Sequence, residues 1–148
     1  MAAMLINQLH ALTSSRLAVI DIDAGVQAAA RLLSRPGIGL VVACNASGGA
    51  EGVLSKSDLI RHLTKPTLSA LPVSALMSRS VVSCSPQDDV HAVWQTMAAR
   101  NLQNIPVIDG AASPLGILDV RDAMKALFEQ EEMQEQMLFN YVTGLGYR

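Results

Sequence analysis

The sequence predicts an α/β domain of the α+β type, in which two pseudo-symmetric β-α-β-β-α repeats share one core and an extended helix follows. The main observation is a pattern repeated at a constant offset of 64 positions, which relates Gly52 to Gly116 and Asp58 to Asp122. A fixed internal repeat sets the architecture before any local prediction. The composition agrees, because half of the 148 residues are apolar and 16% are charged, as in a globular chain with a real core. Apolar positions keep the offset in further pairs: Val26 with Val90, Ala28 with Ala92, Leu33 with Met97, Val41 with Ile105, and Leu63 with Leu127.

Hydrophobic patterns and turn residues place the elements of the first repeat. Residues 17–20 form a short apolar run of strand type, and residues 24–34 have helical spacing that stops at Arg35-Pro36-Gly37. Residues 38–44 are rich in β-branched side chains and predict a buried strand, which a turn joins to a returning strand at 52–54. A helix over residues 56–63 closes the repeat.

The second repeat follows the same order. Residues 81–84 predict a strand, and Ser85-Pro86-Gln87-Asp88 predicts a helix start with Ser85 as the cap, a role that Asp21 would have in the first repeat. The helix runs to about residue 99, a hairpin covers 104–108 and 115–118, and the last helix starts near 120. We therefore expect five segments: an N-terminal segment (1–16), the first repeat (17–63), a linker (64–75), the second repeat (76–128) and a C-terminal helical extension (129–148).

Charge and composition argue against several classes of function. The net charge of −2 gives no broad electrostatic attraction to nucleic acid or to a membrane surface. No apolar run approaches the roughly 18 residues that a membrane span needs, and the N-terminus does not resemble a signal peptide. The two cysteines, Cys44 and Cys84, read as buried thiols and fit a cytoplasmic protein. The three histidines lack metal-ligand spacing, and no catalytic constellation is visible, so we expect neither a metal site nor an enzyme.

Several short motifs, taken in order and repeated, resemble a known family. Leu76-Met77-Ser78 with Val81-Val82 looks like the opening of a copy, and residues 38–42 and 104–108 look like its middle strand. The closing mark, Gly, two apolar residues, Ser or Thr, two variable residues and Asp, is complete from Gly52 to Asp58. Over about residues 15–128 the chain resembles a tandem pair of cystathionine-β-synthase (CBS) domains, a Bateman module.

This resemblance implies a regulatory module that binds an adenine nucleotide or related adenosyl compound in the cleft between repeats and signals to a partner. AMP, ADP, ATP or another adenosyl compound would be a regulatory ligand, with no obligatory cofactor. A carboxylate suits ribose hydroxyls, and a helix N-terminus suits phosphate. The residues implied in binding are the base-pocket residues Leu40 and Asn104, the rim residues Ser55, Asp58, Asp119 and Asp122, and the cations Lys56 and Arg121.

The second copy departs from the family pattern, because Asp119 stands where Ser or Thr is usual. A carboxylate there would repel phosphate unless Arg121 neutralised it. We therefore expect the second site to be empty or to prefer a neutral ligand. The alternative for Asp58 and Asp122 is a purely structural role in the first turn of a helix.

The C-terminal extension carries an apolar stripe beside an acidic face. Its members are Met133, Met137, Leu138, Tyr141, Val142 and Leu145. The stripe predicts a homodimer interface or a docking helix for a partner protein, and the alternative is that the helix packs back on its own module. An alternative function is a structural or oligomerisation module whose clefts bind no ligand.

Overall fold

A computed structural model describes residues 3–67 and 70–146 of the chain. The ends of the predicted terminal segments and residues 68 and 69 of the predicted linker lie outside this range. The chain begins with a 3-10 turn (Ile6–Leu9) and helix α1 (His10–Ser15). The first repeat then consists of β1 (Val19–Asp21), α2 (Val26–Leu33), β2 (Leu40–Cys44), β3 (Ala50–Ser55) and α3 (Lys56–His62).

The first repeat forms a three-stranded sheet in the order β1-β2-β3. β1 is parallel to β2, with Ile20 opposite Ala43, and β2 is antiparallel to β3. The parallel pair is possible because α2 carries the chain back across the sheet. β2 is buried along nearly its whole length, as its β-branched sequence predicts.

The second repeat has the same order with a reduced first strand. Helix α4 (Val73–Leu76) precedes it, and it consists of α5 (Val90–Ala99), the antiparallel strands β4 (Asn104–Ile108) and β5 (Pro114–Asp119), and α6 (Val120–Gly146). The strand predicted at 81–84 is only a single parallel bridge from Cys84 to Val107. That bridge is the counterpart, 64 positions on, of the pair Ile20 and Ala43. The predicted pair of pseudo-symmetric repeats with a long final helix is thus confirmed, in register as well as in order.

The predicted start of α5 is wrong. Asp88 turns back to accept a hydrogen bond from the backbone N–H of Ser85 at 2.8 Å, and the helix begins only at Val90. Asp89 is the real cap, because its carboxylate accepts from the N–H of Ala92 at 3.0 Å. In the first repeat Asp21 likewise closes a local turn by accepting from the N–H of Asp23, and α2 starts five residues later. Short polar side chains that bond to nearby backbone can form a turn in place of the first helical turn.

The segment before each repeat packs on the other repeat. Ile6 is buried in the apolar cluster of the second repeat, where the N–H of Val90 donates to the carbonyl of Met4 at 2.8 Å. In the converse exchange, Val73 is buried in the cluster of the first repeat and donates its N–H to the carbonyl of Ala24 at 2.8 Å. The two repeats are therefore interlocked at both ends.

Two glycines make this exchange possible. A Cβ atom on Gly52 would lie 2.7 Å from the sulfur of Met77, and a Cβ atom on Gly116 would lie 2.7 Å from the carbonyl oxygen of Thr13. Thr13 and Met77 are themselves 64 positions apart. The glycines of the repeated motif thus admit the neighbouring segment of chain.

The core consists of one apolar cluster in each repeat and a smaller cluster between them. The cluster between the repeats joins Leu40 and Val42 of β2 to Ile117 of β5. Cys84 is buried in the second repeat, and this burial raises the pKa of its thiol to about 12. Within the described residues, no helix is both long and apolar enough to cross a membrane.

Candidate functional site

A cleft of about 520 Å³ opens between the two repeats, and we call it the first cleft. The ends of β2 and β3 and the start of α3 form one side of it. The other side comes from the chain around Ser80 and from the start of β4. The structure brings together five of the predicted site residues on its walls: Leu40, Ser55, Lys56, Asp58 and Asn104.

The polar rim of the first cleft is held by a capping box at the start of α3. The N–H of Asp58 donates to the Ser55 hydroxyl oxygen at 3.1 Å, and the N–H of Ser55 donates to Oδ2 of Asp58 at 3.0 Å. This arrangement satisfies two backbone donors that would otherwise lack partners. It also fixes the rotamer of Asp58, so that its second oxygen, Oδ1, is held 3.4 Å from Nη1 of Arg61. The structural and the binding interpretations of Asp58 are therefore compatible, because they use different oxygens.

Arg61 lines the first cleft and was missed by the sequence analysis. The available signal was its position three residues after Asp58 in a helix, a spacing that puts two side chains on one face. Together with Lys56 it gives the rim two cations. Val53, Val82 and Pro106 add an apolar wall. The cleft therefore combines a carboxylate, two cations and an apolar surface large enough for a flat ring.

The other three predicted residues lie at the corresponding place in the second repeat, which we call the second cleft. Asp119 is buried and accepts hydrogen bonds from Nε and Nη2 of Arg121 at 3.0 and 2.9 Å and from the Arg121 N–H at 2.8 Å. Burial acts to raise the pKa of Asp119, but these bonds and the positive charges of Arg121 and Arg16 outweigh it and leave the pKa below its ordinary value. Arg121 thus neutralises Asp119.

Asp122 is bound by a residue that the sequence analysis did not identify. Nε of Arg16 donates to Oδ2 of Asp122 at 2.6 Å, and Nη2 donates to Oδ1 at 3.2 Å. Nη1 donates to the carbonyl of Gly37 at 2.8 Å and lies 3.8 Å from Oδ2 of Asp119. The hydrogen bond that Arg16 donates to Asp122 is the main reason why the pKa of Arg16 lies above its ordinary value. The 64-residue offset could have identified Arg16, because it relates Arg16 to Ser80, and Ser80 lines the first cleft.

Metal chemistry has no support in the described part of the chain. No group of three or more His, Cys, Asp or Glu side chains is arranged there to hold a metal ion. The first cleft instead presents charged, hydroxyl and apolar side chains.

Solved structures with this fold include two ligand complexes. The CBS domain pair of protein MJ0100, in complex with 5-methylthioadenosine and S-adenosyl-L-methionine, superposes with a TM-score of 0.74 at 18% identity, over 88% of this chain and 99% of that one. CBSX2 in complex with AMP superposes with a TM-score of 0.72 at 18% identity, over 86% and 98% of the two chains. At these identities the likeness establishes the fold alone.

Sequence comparison gives a curated relative and a family. Arabinose 5-phosphate isomerase GutQ of Shigella flexneri is 27% identical over 128 residues, which are 85% of this chain. The chain spans only 40% of the length of this curated relative. The family model of the CBS domain matches twice, over residues 9–65 and 73–129. With two matches in tandem and the interlocked repeats described above, the chain belongs to the CBS domain family as a CBS pair.

Proposed function

We propose that this CBS pair is a regulatory module that binds an adenine nucleotide or a related adenosyl ligand in the first cleft. The observation that carries the proposal is the rim itself, where Asp58 is fixed by its capping box beside Lys56 and Arg61, across from Asn104. The ligands of the MJ0100 pair and of CBSX2 all contain an adenosyl group, which supports this class of ligand.

Each part of such a ligand has a chemically matched surface in the first cleft. Ribose hydroxyls would donate to Oδ1 of Asp58, the oxygen that the capping box leaves available. A phosphate would meet the cations of Lys56 and Arg61 near the N-terminus of α3. The adenine ring would lie against the apolar wall near Leu40, with the Asn104 amide able to donate to or accept from its edge.

A ligand screen tests this proposal directly. Thermal unfolding would be followed with AMP, ADP, ATP, S-adenosylmethionine and 5-methylthioadenosine, with GMP as the control that keeps ribose and phosphate but changes the base. A ligand at 100 times its dissociation constant stabilises the fold by about 2.7 kcal/mol. We expect at least one adenosyl compound to give a saturable shift. Failure of all five to bind would favour a structural module.

We further propose that the C-terminal half of α6 is an association surface, through which the chain forms a homodimer or contacts the protein it regulates. Met133, Met137 and Tyr141 are about two-thirds exposed, at 65%, 65% and 66%, as are their apolar neighbours Leu138 and Val142. The side chain of Leu145, predicted in the same stripe, lies outside the described residues. The exposure contradicts packing of these residues on their own module.

Truncation after Leu127 tests the association surface. The truncated chain retains both repeats, so it should stay folded and shift towards monomer in sedimentation, whereas the full chain should sediment as a dimer. The substitution pair Met133→Gln and Met137→Gln tests the same surface without shortening the helix. If the full chain is dimeric and both variants sediment as it does, the interface lies elsewhere. A full chain that is monomeric leaves a partner protein as the occupant of this surface.

A further inference from the structure

The side chain of Arg16 fills a position that is open space in the first cleft. Arg16, Gly37 and Asp122 form one hydrogen-bonded group in the second cleft. The counterparts of these three residues, 64 positions away, are Ser80, Asn101 and Asp58, and all three line the first cleft. The backbone positions agree in detail, since Gly37 and Asn101 both have positive φ, 83° and 54°. The guanidinium therefore occupies the place that the short Ser80 side chain leaves free.

The backbone holds Arg16 firmly in this place. The residue ends α1, where its N–H donates to the carbonyl of Thr13 at 3.3 Å. Thr13 is buried and packs against Gly116 of β5, the strand that leads into Asp119. The close approach at Gly116 thus fixes the distance between α1 and the carboxylates of the second cleft. The arginine is positioned by the fold and does not reach its partners from a loose terminus.

Charges in the second cleft are already matched within the chain. Asp122 is bound by two nitrogens of Arg16, and Asp119 is bound by Arg121. Two-pronged bonds between arginine and carboxylate are among the stronger polar contacts in proteins. A ribose would have to replace the Arg16 guanidinium at Asp122, and a phosphate would find both arginines engaged with carboxylates. In the first cleft the corresponding carboxylate, Asp58, accepts from the N–H of Ser55 with Oδ2, and its Oδ1 lies 3.4 Å from the exposed side chain of Arg61.

From this difference we propose that Arg16 is a built-in occupant of the second cleft and restricts this CBS pair to one ligand per chain. The inference rests on the proposed function for the ligand class, and it concerns a different cleft. Replacing Arg16 by the residue at its counterpart, Arg16→Ser, should open a second site.

The experiment counts AMP molecules per chain by calorimetry in four proteins and one control variant. We expect the wild type to bind one AMP, Asp58→Ala to bind it on the order of 10- to 150-fold more weakly, Arg16→Ser to bind two, and the double variant to bind one tightly in the second cleft. Arg35→Ser is the matched control, because Arg35 is an exposed arginine of the first repeat and should keep the wild-type count. Circular dichroism checks that each variant is folded.

The outcomes separate this inference from the proposed function. A wild type that binds two AMP molecules overturns the inference, and so does an Arg16→Ser variant that keeps the wild-type count, whether that count is one or zero. A wild type that binds none while Arg16→Ser binds one rejects the first cleft as a site and supports the blocking role of Arg16.

A measurement on the wild type covers the case in which Arg16→Ser fails to fold. The Nε–H signal of Arg16 in a nitrogen–proton NMR spectrum reports its bond to Asp122. We expect this signal to persist, with little change in position, when AMP saturates the protein. Loss of the signal on AMP binding would mean that the ligand displaces the guanidinium, and the proposal would be rejected.

Discussion

The first and second clefts are built on one backbone plan and differ in a few side chains. At the cap of the following helix, Ser55 in one corresponds to Asp119 in the other, and both accept a hydrogen bond from a backbone N–H of that helix. At the edge contributed by the preceding segment, Ser80 corresponds to Arg16. Each serine is small and neutral, whereas Asp119 and Arg16 are bulkier and charged. The first cleft is therefore open, and the second cleft contains ion pairs.

This comparison shows how a duplicated fold can lose the symmetry of its sites while keeping the symmetry of its chain. Both halves preserve the glycine contacts and the exchange of the segments before each repeat. They also preserve the antiparallel hairpin, β2 with β3 in the first repeat and β4 with β5 in the second. The two substituted pairs, Ser55 with Asp119 and Ser80 with Arg16, differ in size and charge on this shared backbone plan.

The largest expected effect comes from removing the carboxylate of Asp58 in the first cleft. Asp58→Ala should weaken AMP binding by on the order of 10- to 150-fold, because loss of a charge-assisted hydrogen bond costs about 1.5–3 kcal/mol. Asp122→Ala should leave the affinity of the first cleft nearly unchanged, because Arg16 already engages Asp122. Calorimetry on both variants measures the difference. Equal losses, or an effect only at Asp122, would mean that the two clefts have been assigned in the wrong order.

Asp58→Ala also removes half of the capping box, so stability must be separated from binding. Asp58→Asn is the appropriate control, since its amide oxygen can still accept from the N–H of Ser55 while the negative charge is lost. If Asp58→Asn binds AMP as tightly as the wild type, the charge does not contact the ligand.

Replacement by alanine should reduce the free energy of unfolding by different amounts at the two motif glycines, Gly52 and Gly116. A Cβ atom at Gly116 meets backbone atoms of Thr13 at 2.7 Å, and these cannot rotate away. At Gly52 two of the three closest atoms belong to the flexible Met77 side chain. Overpacking costs roughly 1–3 kcal/mol, and we expect Gly116→Ala near the upper end and Gly52→Ala near the lower end.

Urea unfolding of these variants tests the comparison, with Gly110→Ala as the control because no atom lies within 4 Å of its Cβ position. Gly116→Ala should also displace α1 and with it Arg16, so it should weaken the closure of the second cleft. A Gly116→Ala protein as stable as Gly110→Ala would show that α1 does not pack tightly on β5.

Much of the fold was predictable because the repeat constrains every element twice. Apolar positions at a constant offset predicted both hairpins and the helices that close the repeats, and five residues of the open cleft followed from the family motif. The start of α5 was mispredicted because Ser85 and Asp88 suit either a cap or a local turn, and only tertiary context selects the turn. The continuous strand at 81–84 was mispredicted because its apolar residues pair with β4 at Cys84 alone.

The place of Arg16 in the second cleft could not be predicted from local motifs. Arg16 and Asp122 are 106 positions apart, and they meet only because the segment before the first repeat crosses to the second. Local patterns carry no information on such an exchange. The 64-residue offset does carry this information. Once the contact of Met77 with Gly52 is known, the offset predicts the equivalent contact of Thr13 with Gly116.

The smallest expected effect concerns how the stability contributed by Asp119 in the second cleft depends on pH. The pKa of Asp119 is lower in the folded protein than its ordinary value, mainly because the bonds and charges of Arg121 and Arg16 outweigh the effect of burial. A carboxyl group with a depressed folded pKa stabilises the fold fully above its unfolded pKa, which is about 3.9, and this contribution is lost as the pH falls through the folded pKa. Asp119→Asn should therefore be less stable than the wild type by about 1 kcal/mol at pH 7, and the difference should shrink below about pH 4.

Urea unfolding from pH 7 to pH 3 measures this difference, with Asp23→Asn as the control because Asp23 is exposed and outside both clefts. The control should follow the wild type across the range. Ser55, the counterpart of Asp119, has no ionisable side chain and cannot form an equivalent ion pair in the first cleft. An Asp119→Asn deficit that stays constant down to pH 3 would show that the lost stability comes from altered packing, and that the ion pairs of the second cleft do not contribute to folding.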